Sequence, residues 1–148
     1  MIKIYHALNI AQYVIARCNS KKKFISNLKL QKILYFIQAE FLVSKGKPCF
    51  HESIEAWDFG SVIPDVFYKY SVYGSGHIPY VKESKASYII SVKDKELLNG
   101  IIDECSMYSS TRLLGIIHNQ TPWIEAYESG YHNEIRQESI KEFFEDDF

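Results

Sequence analysis

The chain has 148 residues, near the commonest size for one domain, with 17 Lys and Arg against 18 Asp and Glu and a formal net charge of -1. That balance gives no global attraction to nucleic acid, so any DNA contact has to come from a local basic patch. Hydrophobic residues at 47% and charged residues at 24% fit a compact core and exclude wholesale disorder.

Ala7, Leu8, Ile10, Ala11, Val14, Ile15 and Cys18 recur at three- and four-residue steps and share one face of an amphipathic first helix. Asn19 to Lys23 form a polar connection. Ser26 or Asn27 can then accept from the free amides of a second helix expected to run to Ser44. Its stripe of Leu30, Ile33, Leu34, Ile37 and Phe41 is widened by Phe36, Leu42 and Val43, which makes it the central and most buried helix. Gly46 supplies a left-handed stop and Pro48 prevents resumption. Cys49 to Trp57, interrupted by His51 and Glu52, reads as a small extended hairpin. Pro64 suits the first turn of a short helix with Val66, Phe67 and Tyr70 on its apolar side.

Gly74, Ser75, Gly76 and Pro79 mark a loop, and Tyr88 to Val92 reads as a strand. From Asp94 the pairs Leu97/Leu98 and Ile101/Ile102, then Cys105 and Tyr108, restore helical spacing. Ser109 or Ser110 can cap a helix through Ile117, and Thr121-Pro122 starts another that carries Trp123 and stops at Gly130. The last helix, Gln137 to Glu145, is marked by Ile140, Phe143 and Phe144, and its acidic end opposes the helix dipole. No internal repeat or linker divides these elements. Residues 1–148 are therefore expected to form one mainly α domain of about six or seven helices with a small β-hairpin accessory.

Ser26-Asn27-Leu28-Lys29-Leu30-Gln31-Lys32-Ile33-Leu34-Tyr35-Phe36 resembles the hallmark helix of the Panacea domain family of SocA-like antitoxins and phage-associated proteins, in which Leu-Gln-Lys precedes a Leu-Tyr-Phe-like run. Ile54-Glu55-Ala56-Trp57-Asp58-Phe59-Gly60 followed by Val62-Ile63-Pro64-Asp65-Val66-Phe67 is similar to the family's Ala-Trp, Gly-Pro-Val and Pro-x-Val-Tyr order. His118 with Thr121-Pro122-Trp123 and Ala126 resembles its late His-x-x-x-Pro-Trp segment. Ser61 departs from the pattern, standing where the family usually has Pro, which loosens the turn without removing a reactive group.

The odd, unpaired cysteines and the lack of a signal segment suit a cytoplasmic protein, and the missing motif spacings lead to the expectation of no catalytic residue, cofactor or metal. The resemblance implies a predominantly helical antitoxin. Such a protein neutralises a cognate protein toxin by direct contact, usually from a two-gene bacterial or phage operon. Some members act as adaptors that deliver the toxin to an ATP-dependent protease. The motif residues carried over are Leu30, Gln31, Lys32, Tyr35, Phe36, Ala56, Trp57, Gly60, Pro64, His118, Pro122 and Trp123.

Each candidate has a plainer reading. Large aromatics dominate cores as well as interfaces, so Trp57 and Trp123 are expected to lock the hairpin and last helices onto the central helix rather than to form a binding site. The abundance of aromatics, 15% of the chain, is compatible with a partner surface without requiring one. His118 sits where an imidazole can cap a helix carbonyl. Gln31, Lys32, Tyr35 and Glu40 are expected on an exposed or snorkelling edge, with a buried polar network or partner contact as the alternative.

Lys21, Lys22 and Lys23, near Lys29, suggest a DNA-binding operon regulator as the alternative function, against a solvated loop as the default. Cys18, Cys49 and Cys105 show no disulfide or zinc spacing, and Cys49 with His51 lacks the third group that a thiolate nucleophile needs. The scattered histidines supply no metal-ligand pattern. No long apolar run indicates a membrane span or secretion signal. Glu145, Asp146 and Asp147 beside Phe143, Phe144 and Phe148 either fray or engage a basic toxin surface or a protease.

Overall fold

The computed structural model describes residues 3–80 and 86–146. Its first helix, α1 (Ala7–Ser20), buries Ala7, Ile10, Ala11, Val14, Ile15 and Cys18, the face expected from their spacing. The Ala7 N–H donates to the Glu52 carboxylate at 2.8 Å, so a side chain far along the chain serves the open helix start. Helix α2 (Asn27–Lys45) begins at Ser26, whose hydroxyl accepts from the Lys29 N–H, and stops at Gly46, which turns left-handed at φ 68°.

The strands β1 (Ile54–Trp57) and β2 (Gly60–Val62) form a hairpin, and β3 (Glu134–Ile135) adds to the far side of β1, giving an antiparallel sheet in the order β2-β1-β3. The hairpin thus begins inside the expected Cys49–Trp57 segment, at Ile54, and runs past it to Val62, while Cys49 to Ser53 stay outside the strands. The cause is Gln38: its Oε1 accepts from the N–H groups of Cys49 (2.7 Å) and Phe50 (3.2 Å), and its amide donates to the Phe50 carbonyl (3.0 Å). With those groups paired, Cys49 and Phe50 need no strand neighbour beyond a single bridge from Phe50 to Tyr5.

Pro64 opens α3 (Pro64–Tyr70), which runs into a 3-10 turn, Ser71–Tyr73. Tyr88 to Val92 is not a strand. Ala86–Ile89 is a short helix, α4, closed by the Ile90 N–H donating to the Ala86 carbonyl, and Val92 already belongs to α5 (Val92–Ser106). Ser91 forces the break, because its hydroxyl caps α5 by accepting from the Asp94 N–H at 3.2 Å. Short apolar runs fit either element by periodicity alone.

Helices α6 (Ser110–His118), α7 (Thr121–Ser129) and α8 (Gln137–Asp146) follow, with Ser109 capping the first and Pro122 seated at the start of the second. Among the described residues there are eight α-helices, mainly α with a small β accessory and one helix more than the upper expectation. Asp147 and Phe148 lie outside the described residues. Helix α2 is the hub: α1, α3, α5, α6 and α8 all pack on it, as does β2. One apolar cluster runs from Tyr5 to Ile140.

A second anchor ties the chain start to α5. The Tyr5 hydroxyl donates to Asp94 Oδ2 at 2.5 Å, and the Lys45 ammonium pairs with Oδ1 of the same carboxylate. Burial pushes the Asp94 pKa up, but Lys45, Tyr5 and Ser91 outweigh it and hold the carboxyl below the ordinary value. Among the described residues no helix is long and apolar enough to cross a membrane.

Gln38 is 1% exposed and serves three backbone groups that water cannot reach. Gln38→Leu keeps the volume and leaves those groups unpaired, so urea denaturation should show a loss on the order of 3 kcal/mol. A loss below about 1 kcal/mol would mean that the 49–50 segment finds other partners.

Candidate interaction site

The three motif segments meet around the hairpin turn. On α2, the Gln31 amide donates to Asn27 Oδ1 (3.0 Å) while its carbonyl accepts from the Ile63 N–H (2.9 Å). Asn27 in turn donates to the Phe67 carbonyl at 2.9 Å, so α2 holds both ends of the β2–α3 junction that Pro64 shapes. One turn on, the Tyr35 hydroxyl donates to Gln120 Oε1 at 2.7 Å, which fixes the start of α7. Burial raises the Tyr35 pKa and keeps the phenol a donor.

Lys32 Nζ donates to the Leu28 carbonyl (3.1 Å) and to Ser110 Oγ (3.3 Å), with no carboxylate partner among the described residues. Leu30 is wholly enclosed in the core. Gln31, Lys32 and Tyr35 are therefore not on an exposed or snorkelling edge: they are 1%, 1% and 0% exposed. Glu40, half-buried and accepting from Ser44, keeps that edge position. Phe36 is half-buried and lines a cleft of about 280 Å³ with Ile101, Tyr108, Leu113, Ile116 and Phe144.

Gly60 ends the turn Asp58-Phe59 at φ +114°, and a Cβ there would stand 3.1 Å from Leu114 Cδ1 and 3.5 Å from Lys32 Cε. The left-handed backbone angle disfavours any residue with a Cβ, and the Leu114 methyl would have to give way slightly to admit one. Ala56, within β1, is buried. Trp123 Nε1 donates to the Trp57 carbonyl at 3.2 Å, and Tyr127 Oη to Asp58 Oδ1 at 2.6 Å, so α7 grips the turn from its other side.

Trp57 and Trp123 are buried. The aromatic neighbours of Trp57 nevertheless come from the turn, α3 and the loop before β3 (Phe59, Phe67, Tyr68 and His132) rather than from the central helix it was expected to contact. Pro122 is buried at the start of α7.

His118 ends α6 but does not cap it; Asn119 does, donating to the Gly115 carbonyl at 2.7 Å. The imidazole packs on Trp123, with centroids 4.0 Å apart. Burial lowers its pKa from the ordinary histidine value, the Asp58 backbone opposes that shift, and the Lys32 charge adds to it. Two buried side-chain atoms among the described residues have no partner, His118 Nε2 and Ser61 Oγ. The Ser61 hydroxyl is thus enclosed and unpaired at the position where the resembled pattern has Pro.

Lys21, Lys22 and Lys23 are exposed in the turn between α1 and α2. Lys21 Nζ lies 3.6 Å from Asp103, a carboxylate already held by Arg17 at 2.6 Å. Helix α2, which follows this run, is enclosed and cannot enter a DNA groove. The thiols are buried, and desolvation pushes Cys18 to about 11, Cys105 to about 12 and Cys49 well above its ordinary value, all away from the reactive thiolate.

The motif residues, unlike the lysines of the α1–α2 turn, build a scaffold under the hairpin, and sequence reasoning missed the rings that cover its outer side: Phe59, Tyr68, Tyr127, Tyr131 and His132. Their signal was only the aromatic excess, because the rings come from separate segments. Fold and site together define a mainly helical module that braces a small sheet from beneath.

The family model described as antitoxin SocA-like, Panacea domain, matches residues 30–124, a span that contains every motif residue from Leu30 to Trp123. The chain belongs to this family. It is 50% identical over 54 residues to antitoxin SocA of Caulobacter vibrioides (strain NA1000 / CB15N), a stretch that makes up 36% of this chain and 29% of that protein. No solved structure matches the chain significantly.

Burial lowers the Lys32 pKa from 10.5 to about 8. The unfolded chain then holds a proton that the folded one lacks between those values. The penalty is therefore full below about pH 8, shrinks as pH rises and is gone above 10.5. Lys32→Met removes the charge, so the stability of the variant relative to the parent should fall by roughly 2 kcal/mol between pH 7 and pH 10 in chemical denaturation. The ionisations of cysteine and tyrosine cancel in that comparison; a difference independent of pH would refute a shielded ammonium.

Proposed function

We propose that this protein is an antitoxin-like binding module that suppresses a cognate protein toxin by direct contact in the cytoplasm. The observation that carries this reading is the match to the SocA-like antitoxin family over residues 30–124, with every motif residue inside it. The geometry supports it in a second way. The polar groups of the motifs are spent on one another and on backbone, as in the Gln31–Ile63, Tyr35–Gln120 and Trp123–Trp57 bonds, which suits a rigid presenting scaffold. The continuous apolar cluster from Tyr5 to Ile140 supports one domain acting as a unit. Three free, buried cysteines suit a reducing compartment.

Contact with a toxin is also the step that an adaptor handing it to an ATP-dependent protease would need, so delivery is a further stage of the same reading. DNA regulation has less support, because Lys21 is paired and α2 is enclosed.

The test is co-expression with the neighbouring gene of the same operon. The protein should restore growth arrested by that gene product and co-purify with it as a stable complex. Growth arrest that persists, with no complex formed, would overturn the reading.

A further inference from the structure

Outside the closed scaffold, the hairpin carries a chain of rings that runs from the buried Trp57 through the half-buried His132 to the exposed Tyr131. Trp57 stacks on His132 with centroids 3.9 Å apart and planes 7° apart, and Tyr131 stacks on the same imidazole at 3.7 Å. Tyr68, 6.3 Å from Trp57, and the Phe59–Phe67 pair continue the surface across α3. Tyr68 is 64% exposed and Tyr131 is 89% exposed, unusual for large aromatics. The stack is held at a cost, because His132 sits at φ 53°, a left-handed conformation that a residue with a Cβ adopts reluctantly.

The charge beside these rings has one sign. Glu55 and Trp57 alternate onto the same face of β1, and Glu55 pairs directly across the sheet with Glu134. Like charges opposite one another in an antiparallel ladder are destabilising. No cation among the described residues relieves them. Glu55 accepts only from Trp57 Nε1 at 2.9 Å, Glu134 only from the Ser53 hydroxyl at 2.9 Å, and Arg136 turns to Glu138 at 3.4 Å.

We propose that this face, the exposed Tyr131 backed by His132 and Trp57 and flanked by Glu55 and Glu134, is the docking surface for an arginine-bearing segment of the toxin. The proposal rests on the antitoxin reading for the identity of the partner. A guanidinium is planar, stacks on aromatic faces and bonds to carboxylates with a fixed fork of donors, so it answers both features at once. Aromatic and arginine side chains are also the groups that most often carry interface energy.

The surface is tested first without the toxin. Isotope-labelled protein is titrated by NMR with capped Gly-Arg-Gly and Gly-Glu-Gly peptides at low salt. The arginine peptide should shift the Trp57 indole and the 131–134 amides in a saturable way, and the acidic peptide should not. The effect should vanish in Glu55→Gln/Glu134→Gln, which keeps a carbonyl acceptor for Trp57 and removes the repulsion, so its thermal stability should equal or exceed that of the parent. Shifts that are absent, or unchanged in the double variant, overturn the proposal.

With the co-expressed toxin, Glu55→Arg should weaken binding by at least about tenfold in calorimetry. Tight binding of toxin to both parent and Glu55→Arg overturns the docking surface and leaves the antitoxin reading intact. Failure of the parent to bind toxin removes that reading and the toxin as occupant, while the titration still decides whether the face takes arginine. A dimer that dissociates on Tyr131→Ala would assign the face to a second copy and overturn the proposal.

Discussion

Helix α2 is enclosed along most of its length, yet it carries Gln31, Lys32, Tyr35 and Gln38, and each of these must find a partner without water. The rest of the chain is arranged to supply those partners. Gln38 receives the Cys49–Phe50 segment, Gln31 the start of α3, Tyr35 the start of α7, and Lys32 the first residue of α6. A buried donor without an acceptor costs more than a satisfied one contributes, so these bonds specify position more strongly than they add stability. Lys32 is the exception that shows the tension: it is the one of the four with a formal charge, it has hydrogen bonds but no counter-ion among the described residues, and its proton is correspondingly loose.

This arrangement explains why the hairpin lies where it does. Strand β2 lies against α2 and α6, the Leu114 side chain fills the space a Cβ on Gly60 would need, and Trp123 seizes the Trp57 carbonyl. A short two-stranded ribbon is marginal in isolation, and here its inner side is secured by helices and its edge by β3. Only the outer side of Trp57 is left to the rings of α3 and the loop before β3.

What could be read from the residues follows from how far each signal reaches. Ser26, Gly46, Pro64, Ser109 and Pro122 act within a single turn of chain, and the helix ends they mark stand where expected. The Tyr88–Val92 run failed because Ser91, inside it, caps the following helix. The two residues of β3 carry no periodicity at all and are defined only by their pairing with Ile54 and Glu55. The burial of Gln31 and Lys32 was hidden for a related reason: periodicity reports one helix's apolar stripe, not how many neighbours surround it. The Lys32 partner Ser110 lies 78 residues away.

The site was half legible on the same principle. Its inner shell recurs as contiguous motifs, so the resemblance exposed it, whereas its outer face is assembled from Glu55, Trp57, Tyr68 and the 131–134 segment and has no linear signature. The two halves also differ in how they treat unfavourable groups. Beneath the hairpin nearly every enclosed polar atom is paired, with Ser61 Oγ and His118 Nε2 the unpaired ones among the described residues. On the outer face a left-handed His132 and two opposed carboxylates stand uncompensated. Only a well-satisfied interior can tolerate such a surface, since the total stability of a domain is small. The carboxylate repulsion there weakens the free protein, and a cationic partner that relieves it gains affinity by the same amount.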